Sequence, residues 1–206
     1  AAPSPSPVPR PSPPLVAPAD PGARQSMRAA GELGAATAAA IPSQVRISGS
    51  TRHTLAVAVS KATFPRGART VVIVSSARAA DQQIAAYVAG SIGAPMLLVD
   101  AGSVPGPTAA EVARLAPDRI VVMGSRTSVS DAVVGRLSSG RSMVRVDGGT
   151  TMSLSQAALT ATAPTASTVY LVDVRQLATA PLAAATAAGL DRGFMIVEGA
   201  RAPSPG

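Results

Sequence analysis

The chain has 206 residues, of which 47% are apolar and only 2% aromatic, and its formal net charge is +7. This length is sufficient to bury a sizeable core in one or two domains. The chain contains no cysteine, which excludes thiolate catalysis, disulfides and cysteine-based metal sites. No apolar run reaches the roughly 18 residues that a membrane-spanning helix needs, so no transmembrane segment is predicted.

Residues 1–21 are a leader of proline, serine and alanine, AAPSPSPVPRPSPPLVAPADP. Proline supplies no backbone N–H, so we expect an extended, flexible linker, with a proline-rich recognition ligand as the alternative. No signal peptide is evident, but an exported chain whose signal has been removed would begin in this way. The leader therefore favours a secreted protein.

Residues 22–44 are predicted to be a helix and a linker. The helix covers Gly22–Ile41 and ends before Pro42. Its apolar residues fall near one helical face, at Met27, Ala30, Leu33, Ala36, Ala40 and Ile41. We expect this face to dock on the domain that follows, and a partner-binding helix is the alternative.

Seven short apolar runs then follow at intervals of about 25 residues: Val45–Ser48, Thr70–Ser75, Pro95–Val99, Arg119–Met123, Met143–Val146, Thr168–Asp173 and Gly193–Val197. Alanine-rich stretches between them are long enough for one helix each. Regular alternation of this kind indicates parallel βα units. The predicted fold class is α/β, with three α/β/α layers around a parallel sheet.

The chain also repeats at a larger scale. Val45–Gly49 returns 99 residues later as Val144–Gly148, and Thr70–Val74 returns 98 residues later as Thr168–Val172. The sequence therefore predicts a first βα module over residues 45–141 and a partial second module over 142–206. The second part either forms a module of its own or joins the first in one continuous sheet.

Several of these stretches resemble the type-2 cell-wall-binding repeat. Val45–Gly49 with Arg52 and Ala56 is similar to its opening, and Gly93–Val99 is similar to its Ala-Pro-Ile-Leu-Leu strand. Arg119–Gly124, followed by Val129-Ser130, is similar to its Gly-Gly strand end and Val-Ser helix start. The resemblance covers about one and two-thirds repeats. The second repeat is degenerate, with Gly149-Thr150-Thr151 where the family has Asp-Arg-Tyr.

The resemblance implies flavodoxin-like modules, which usually come in threes and form a ring. It also implies an exported protein held without covalent bonds to anionic polymers of a Gram-positive wall. Arg52 matches the arginine of the family's Gly-x-Asp-Arg-Tyr stretch.

Residues that follow strands are the other candidates for a binding site, because ligands of open parallel sheets bind outside the carboxyl ends of the strands. Helix amino termini at this edge offer free N–H groups, and guanidinium and hydroxyl groups suit phosphate or carboxylate. The candidate ligand-binding residues are Arg52, Ser75, Ser76, Arg78, Ser125, Arg126, Thr127 and Arg175. The alternative is that these arginines only pair with Asp100, Asp147 or Asp173 on the same edge.

Two further pairs recur in both repeats. Arg46 and Arg145 lie within the first strand of each repeat, and we expect them to bridge repeats through a salt link, for instance to Asp81 or Asp147. Gly49 and Gly148 are expected at tight strand-to-helix turns, where a permissive backbone is needed.

The sequence does not predict an enzyme. His53 is the single histidine and is expected to have a packing or surface role, and no Gly-x-Ser-x-Gly elbow is present. No nucleotide-binding glycine motif and no His/Cys cluster occurs, so we predict no cofactor and no metal. The scarcity of aromatic residues argues against nucleic-acid partners.

Two functions are compatible with these observations. The first is a secreted, non-catalytic protein of the cell wall or extracellular envelope that attaches to an anionic wall polymer. The alternative is an interaction or scaffold subunit of an envelope complex, in which a repurposed repeat binds an envelope protein. A homo-oligomer is compatible with either.

Overall fold

The computed structural model describes residues 46–199. The predicted leader of residues 1–21 and the predicted helix Gly22–Ile41 lie outside the described residues. Helices and strands alternate along the described part, in the order α1 Arg52–Thr63, β1 Thr70–Ser75, α2 Ala79–Ile92, β2 Met96–Val99, α3 Gly106–Leu115, β3 Arg119–Met123, α4 Asp131–Leu137, β4 Ser142–Val146, α5 Thr151–Thr162, β5 Val169–Asp173, a 3-10 turn Val174–Gln176, α6 Ala180–Gly189 and β6 Gly193–Val197.

All strand pairs are parallel, and the strands form two sheets. The first sheet has the order β2-β1-β3-β4, and the second consists of β5 and β6. The predicted α/β class with a parallel sheet and helices on both sides is confirmed. Interior strands such as β1 are almost fully buried, which explains why they have continuous rather than alternating apolar residues.

Six of the seven predicted strands are present within a residue of their predicted bounds, but the first is wrong. Residues 46–48 form no strand and are exposed. The equivalent strand of the second repeat, β4, is held by β3 of the first repeat. Within the described residues no strand precedes 46–48, so this segment has no ladder partner, and an isolated strand cannot form.

The repeats are joined rather than separate. β4, which opens the second repeat, pairs with β3 across the predicted boundary at residue 142, whereas β5 and β6 form a sheet of their own. The second repeat is thus divided between the two sheets, with β4 in the first and β5 and β6 in the second.

Two apolar cores flank the first sheet. One lies between the sheet and helices α1, α3 and α4. The other lies on the opposite side, where α2 is packed between the first sheet and helices α5 and α6 of the second repeat. Tyr87 of α2 contacts Phe194 of β6, with ring centroids 5.6 Å apart. This second core fixes the relative position of the two repeats.

The turns before α1 and α5 are equivalent in detail. Thr51 and Thr150 cap their helices through reciprocal bonds with the residue three positions on. A Cβ on Gly49 would lie 2.3 Å from the N of Leu55, and one on Gly148 would lie 2.1 Å from the N of Leu154. The two glycines are required because the helix backbone passes directly over them.

Candidate functional site

The site lies at the carboxyl edge of the first sheet. Strand order reverses between β1 and β3, because β1 continues to β2 on one side and the chain then crosses to β3 on the other. The ends of these two strands are adjacent, with Val74 opposite Met123. The loop after β1 and the loop after β3 therefore flank the crevice where ligands of open parallel sheets bind.

The loop after β1 is held by polar side chains that converge on its carbonyl groups. Gln82 Nε2 donates to the carbonyl oxygens of Ser75 and Ser76, at 3.1 and 3.0 Å. Arg52 Nη1, from the start of α1, also donates to the Ser76 carbonyl, at 2.5 Å. The structure thus brings the candidates Arg52, Ser75 and Ser76 together. Gln82 was missed in the sequence, although its position in the first turn after the loop could have indicated it.

The two serine hydroxyls point into the protein. Ser75 is 1% exposed and Ser76 is 8% exposed. Ser76 Oγ donates to Asp100 Oδ1 at 2.9 Å, and Ser75 Oγ accepts from the N–H of Ala77. These hydroxyls position the loop, while the exposed groups beside them are guanidinium groups.

The His53 side chain is largely enclosed by the protein and lies beside Asp100. Its Nε2 lies 3.2 Å from Asp100 Oδ1, and its side chain is largely buried. Asp100 also accepts a hydrogen bond from Ser103. His53 Nε2 makes no hydrogen bond among the described residues, so the imidazole packs between the start of α1 and the loop after β2.

Arg78 pairs with a buried carboxylate. Its Nε lies 3.0 Å from Asp81 Oδ2, in the first turn of α2. Asp81 is 2% exposed, and its other oxygen has no hydrogen-bond partner among the described residues. Burial raises the pKa of Asp81, and the positive charge of Arg78 only partly offsets this. Arg78 itself is about half exposed, so one side of the guanidinium faces solvent.

The loop after β3 begins at Gly124, whose φ of +99° favours glycine. A Cβ there would also lie 3.4 Å from Asp81 Oδ2, so the loop after β3 touches the first turn of α2. Ser125 Oγ and Thr127 Oγ1 are 2.7 Å apart. Ser125 and Thr127 therefore share one hydroxyl cluster.

Arg126 and Arg175 are largely exposed, each with 76% of its side chain accessible. Arg126 Nε lies 3.3 Å from Asp131 Oδ2, and Arg175 Nε lies 3.6 Å from Asp173 Oδ1. Arg126 is on the loop after β3, beside the crevice. Arg175 follows β5 and so belongs to the edge of the second sheet.

All three strand-end arginines thus face a carboxylate, as the ion-pair alternative predicted. Only the Arg175–Asp173 pair has the partner named from the sequence. Arg78 and Arg126 pair instead with aspartates on the following helix, because the helix start is closer than the neighbouring strand end.

Arg145 bridges the repeats, but through groups that the sequence did not indicate. Its guanidinium donates to the carbonyl oxygens of Gly124 and Val129, at 2.8 and 2.9 Å, and lies 3.5 Å from Asp131 Oδ1. The proposed partners Asp81 and Asp147 are therefore wrong for Arg145. Asp131 contacts both Arg126 and Arg145, which makes it the central carboxylate of this loop.

Across residues 46–199 no group of three or more His, Cys, Asp or Glu side chains is arranged to hold a metal ion. In the same range no helix is long and apolar enough to cross a membrane.

The fold and the site define a class: a parallel βα repeat module whose carboxyl edge carries arginine-bearing loops. A family model, cell wall binding domain 2, matches residues 46–134. This match confirms the resemblance to the type-2 cell-wall-binding repeat seen in the sequence.

Two solved structures have the same fold. Cwp6 from Clostridium difficile is 25% identical, with a TM-score of 0.69 over 81% of this chain and 28% of that one. Cwp8 from Clostridium difficile is 28% identical, with a TM-score of 0.68 over 74% of this chain and 27% of that one. The chain thus spans just over a quarter of their length. No protein with a curated description matches the sequence. Together these similarities support a cell-wall-associated protein.

Proposed function

We propose that the chain is a non-catalytic module of a secreted protein that binds an anionic cell-wall polymer through its strand-end loops. One observation carries the proposal: Arg78, Arg126 and Arg175 all follow strands, and each keeps a large part of its guanidinium exposed. Guanidinium groups bind phosphate and carboxylate in a bidentate manner. The net charge of +7 and the family match support the same ligand class.

The ion pairs shape how such a ligand would bind. Each pair is neutral as a whole, so a polymer phosphate has to compete with a carboxylate for the same guanidinium. Arg126 and Arg175 are largely exposed, so their two pairs are weak, and exchange of the carboxylate for a phosphate costs little. Arg78 keeps its buried partner Asp81 and offers the ligand the exposed side of its guanidinium. Arg52 donates a hydrogen bond to the Ser76 carbonyl. We propose that it holds this loop in place and also contacts the ligand.

Cosedimentation of the purified chain with isolated Gram-positive walls tests the proposal. We expect binding that weakens with salt and disappears when the anionic polymer has been extracted with acid. Replacing Arg78, Arg126 and Arg175 together by Gln is expected to weaken binding by about tenfold or more. The matched control replaces Arg66, Arg69 and Arg136, which are exposed and lie at the opposite edge of the sheet.

A double variant makes the test sharper. Asp131→Asn and Asp173→Asn remove carboxylates that compete for Arg126 and Arg175. Under the proposal the double variant binds walls more tightly than the native chain, while the arginine triple binds less tightly. Equal binding by all three proteins would show that the strand-end loops do not hold the polymer.

A second candidate function has its own observation. β5 pairs only with β6 in the described part of the chain, whereas the equivalent strand β1 is paired on both sides. On this open strand Leu171 is 54% exposed. An open apolar edge accepts a strand from a partner protein, which is how a scaffold subunit would bind. Capture of an envelope protein by the native chain, lost in Leu171→Lys but kept in Arg136→Gln, would support this function.

A further inference from the structure

The second sheet leaves one edge of β5 open. Within residues 46–199 the only strand paired with β5 is β6. The N–H of Gly193 donates to the carbonyl oxygen of Thr168, so the main-chain groups of Thr168 point towards β6. Successive residues of a strand direct these groups to opposite edges, and those of Val169 and Leu171 therefore point away from β6. An open row of N–H and C=O groups is a template for a further strand.

The open edge also lacks the features that protect edge strands. Such strands usually carry lysine, proline or a bulge, whereas β5 reads Val-Tyr-Leu-Val-Asp and has its one charge at the end. Val169 and Leu171 share one face of the strand and are 36% and 54% exposed. Their counterparts in β1, Val71 and Ile73, are fully buried, because β3 pairs with β1 and helices cover that face. The edge of β5 is thus built like a buried strand but has no cover among the described residues.

The main chain of this edge is complementary to itself. In an antiparallel pair, residues whose main-chain groups point towards each other exchange both hydrogen bonds. A two-fold axis at Leu171 sets the Leu171 residues of two copies in such a pair, with their side chains adjacent on the exposed face. The same axis sets Val169 of one copy opposite Asp173 of the other. The apolar part of each strand is thereby covered by the apolar part of its counterpart.

The charges at the two ends of β5 suit the same arrangement. Asp173 carries a carboxylate at the end of the strand. Arg192 lies at the start, where its Nη1 is 3.3 Å from Ser167 Oγ and 3.2 Å from Thr168 Oγ1. An antiparallel pair sets the end of one strand beside the start of the other, so each Asp173 faces Arg192 of the second copy. The carboxylate has room for this second cation, since the guanidinium of Arg175 in its own copy lies 3.6 Å away.

We propose that the open edge of β5 is an interface between two copies of this chain, in which the two β5 strands pair antiparallel about a two-fold axis at Leu171. The two small sheets then form one continuous sheet in the order β6-β5-β5-β6. A two-fold interface closes after two copies, so the product is a dimer and not a fibre. The contact is small, so the dimer forms reversibly and depends on concentration. The inference does not rest on polymer binding.

A cysteine at the axis tests the contact in the full chain, whose native sequence has no cysteine. Leu171→Cys sets two thiols on facing residues with Cα atoms about 5.5 Å apart, within the range of a disulfide. Under mild oxidation we expect disulfide-linked dimers to form about tenfold faster than in Leu55→Cys. Leu55 is the matched control because it is also an exposed leucine, at 41%, but lies on α1. Equal rates in the two variants would overturn the proposal.

Sedimentation velocity over a concentration series measures the association without a cross-link. The native chain is expected to shift from monomer to dimer, and Leu171→Lys is expected to raise the dissociation constant about tenfold or more. Leu55→Lys should leave the dissociation constant unchanged. A native chain that stays monomeric up to about 1 mM would overturn the proposal. So would capture of an envelope protein by the β5 edge in place of a second copy.

Exchange of the two end charges tests the antiparallel orientation. Asp173→Arg and Arg192→Asp each set like charges opposite each other, and each is expected to raise the dissociation constant about fivefold, since the two-fold axis counts the change twice. The double variant restores the attraction and should dimerise like the native chain. Circular dichroism checks that each variant is folded. Losses that add up in the double variant would contradict the arrangement.

Discussion

Glu111 is a buried carboxylate whose charge is fully compensated. It accepts a hydrogen bond from Ser60 at 2.6 Å and two from Arg114 at 2.8 and 2.6 Å. Arg114 also donates to the carbonyl oxygens of Phe64 and Pro65. The network ties α1, α3 and the turn after α1 into one unit. Burial by itself raises the pKa of Glu111, but the hydrogen bonds from Arg114 and Ser60 outweigh it and lower that pKa overall.

Replacing Glu111 by Gln is expected to lower the free energy of unfolding by about 3 kcal/mol near pH 7, because Arg114 loses its anionic partner. Urea unfolding followed by circular dichroism measures the change. The folded pKa lies below the ordinary value of 4.5, so this stabilisation is present above that pH and is lost as the pH falls through the folded pKa. Ser60→Ala, which removes one hydrogen bond, should cost only about 1 kcal/mol. A Glu111→Gln protein as stable as the native one would contradict the assignment.

Asp81 has the opposite pH behaviour. Its folded pKa is raised above 3.8 by burial, so the native state takes up a proton before the unfolded chain does. We therefore expect the native chain to gain stability relative to Asp81→Asn as the pH falls from neutral towards 4. Parallel denaturation series of the two proteins measure this difference. If the native chain instead loses stability relative to Asp81→Asn as the pH falls, the positive charge of Arg78 outweighs burial in setting the pKa of Asp81.

At the scale of elements, the two helix starts that follow Gly49 and Gly148 show how the backbone limits the sequence. Gly148→Ala is expected to lower the free energy of unfolding by about 2 kcal/mol or more, since the new Cβ would overlap the first turns of α5. Gly149→Ala is the matched control, because a Cβ there meets no atom within 4 Å. Thermal unfolding of the two variants checks the prediction. Equal midpoints would show that the turn can relax.

The loops after β1 and β3 each depend on residues from other elements. Arg145 of β4 holds the loop after β3, and Gln82 of α2 holds the loop after β1. Such contacts fix the arginine-bearing loops on rigid supports. The supporting residues are as much part of the candidate site as the arginines themselves.

At the scale of the whole molecule, the two repeats share one core. Thr162 of α5 donates a hydrogen bond to the Tyr87 hydroxyl at 3.1 Å, and the Tyr87 ring contacts Phe194. The β3–β4 ladder adds a second link across the repeat boundary. These contacts favour unfolding of both repeats together.

Phe194→Ala is expected to lower the stability of the whole described region by about 3–5 kcal/mol while unfolding stays a single transition. Tyrosine fluorescence reports on both repeats, since Tyr87 belongs to the first and Tyr170 to the second, and it should coincide with circular dichroism. Ala132→Gly, an exposed change on α4, should cost only about 1 kcal/mol. Two separate transitions in the Phe194 variant would show that the repeats fold independently.

The sequence by itself determined the element order and the strand positions. Interior parallel strands must be apolar throughout, and the roughly 25-residue interval leaves room for one helix, so composition along the chain carries this information. The recurrence of Arg46 as Arg145 and of Gly49 as Gly148 was visible because the two repeats align along the sequence. The first strand was the exception, because a strand exists only where a neighbour supplies its ladder.

Only the tertiary structure decided which side chains meet. Glu111 and Ser60 are 51 residues apart, and Arg145 is 21 residues from Gly124. The partners of Arg78 and Arg126 depended on how each helix start lies over its strand end. Local sequence patterns encode burial and chain direction, but contacts between distant elements are set by how the elements pack.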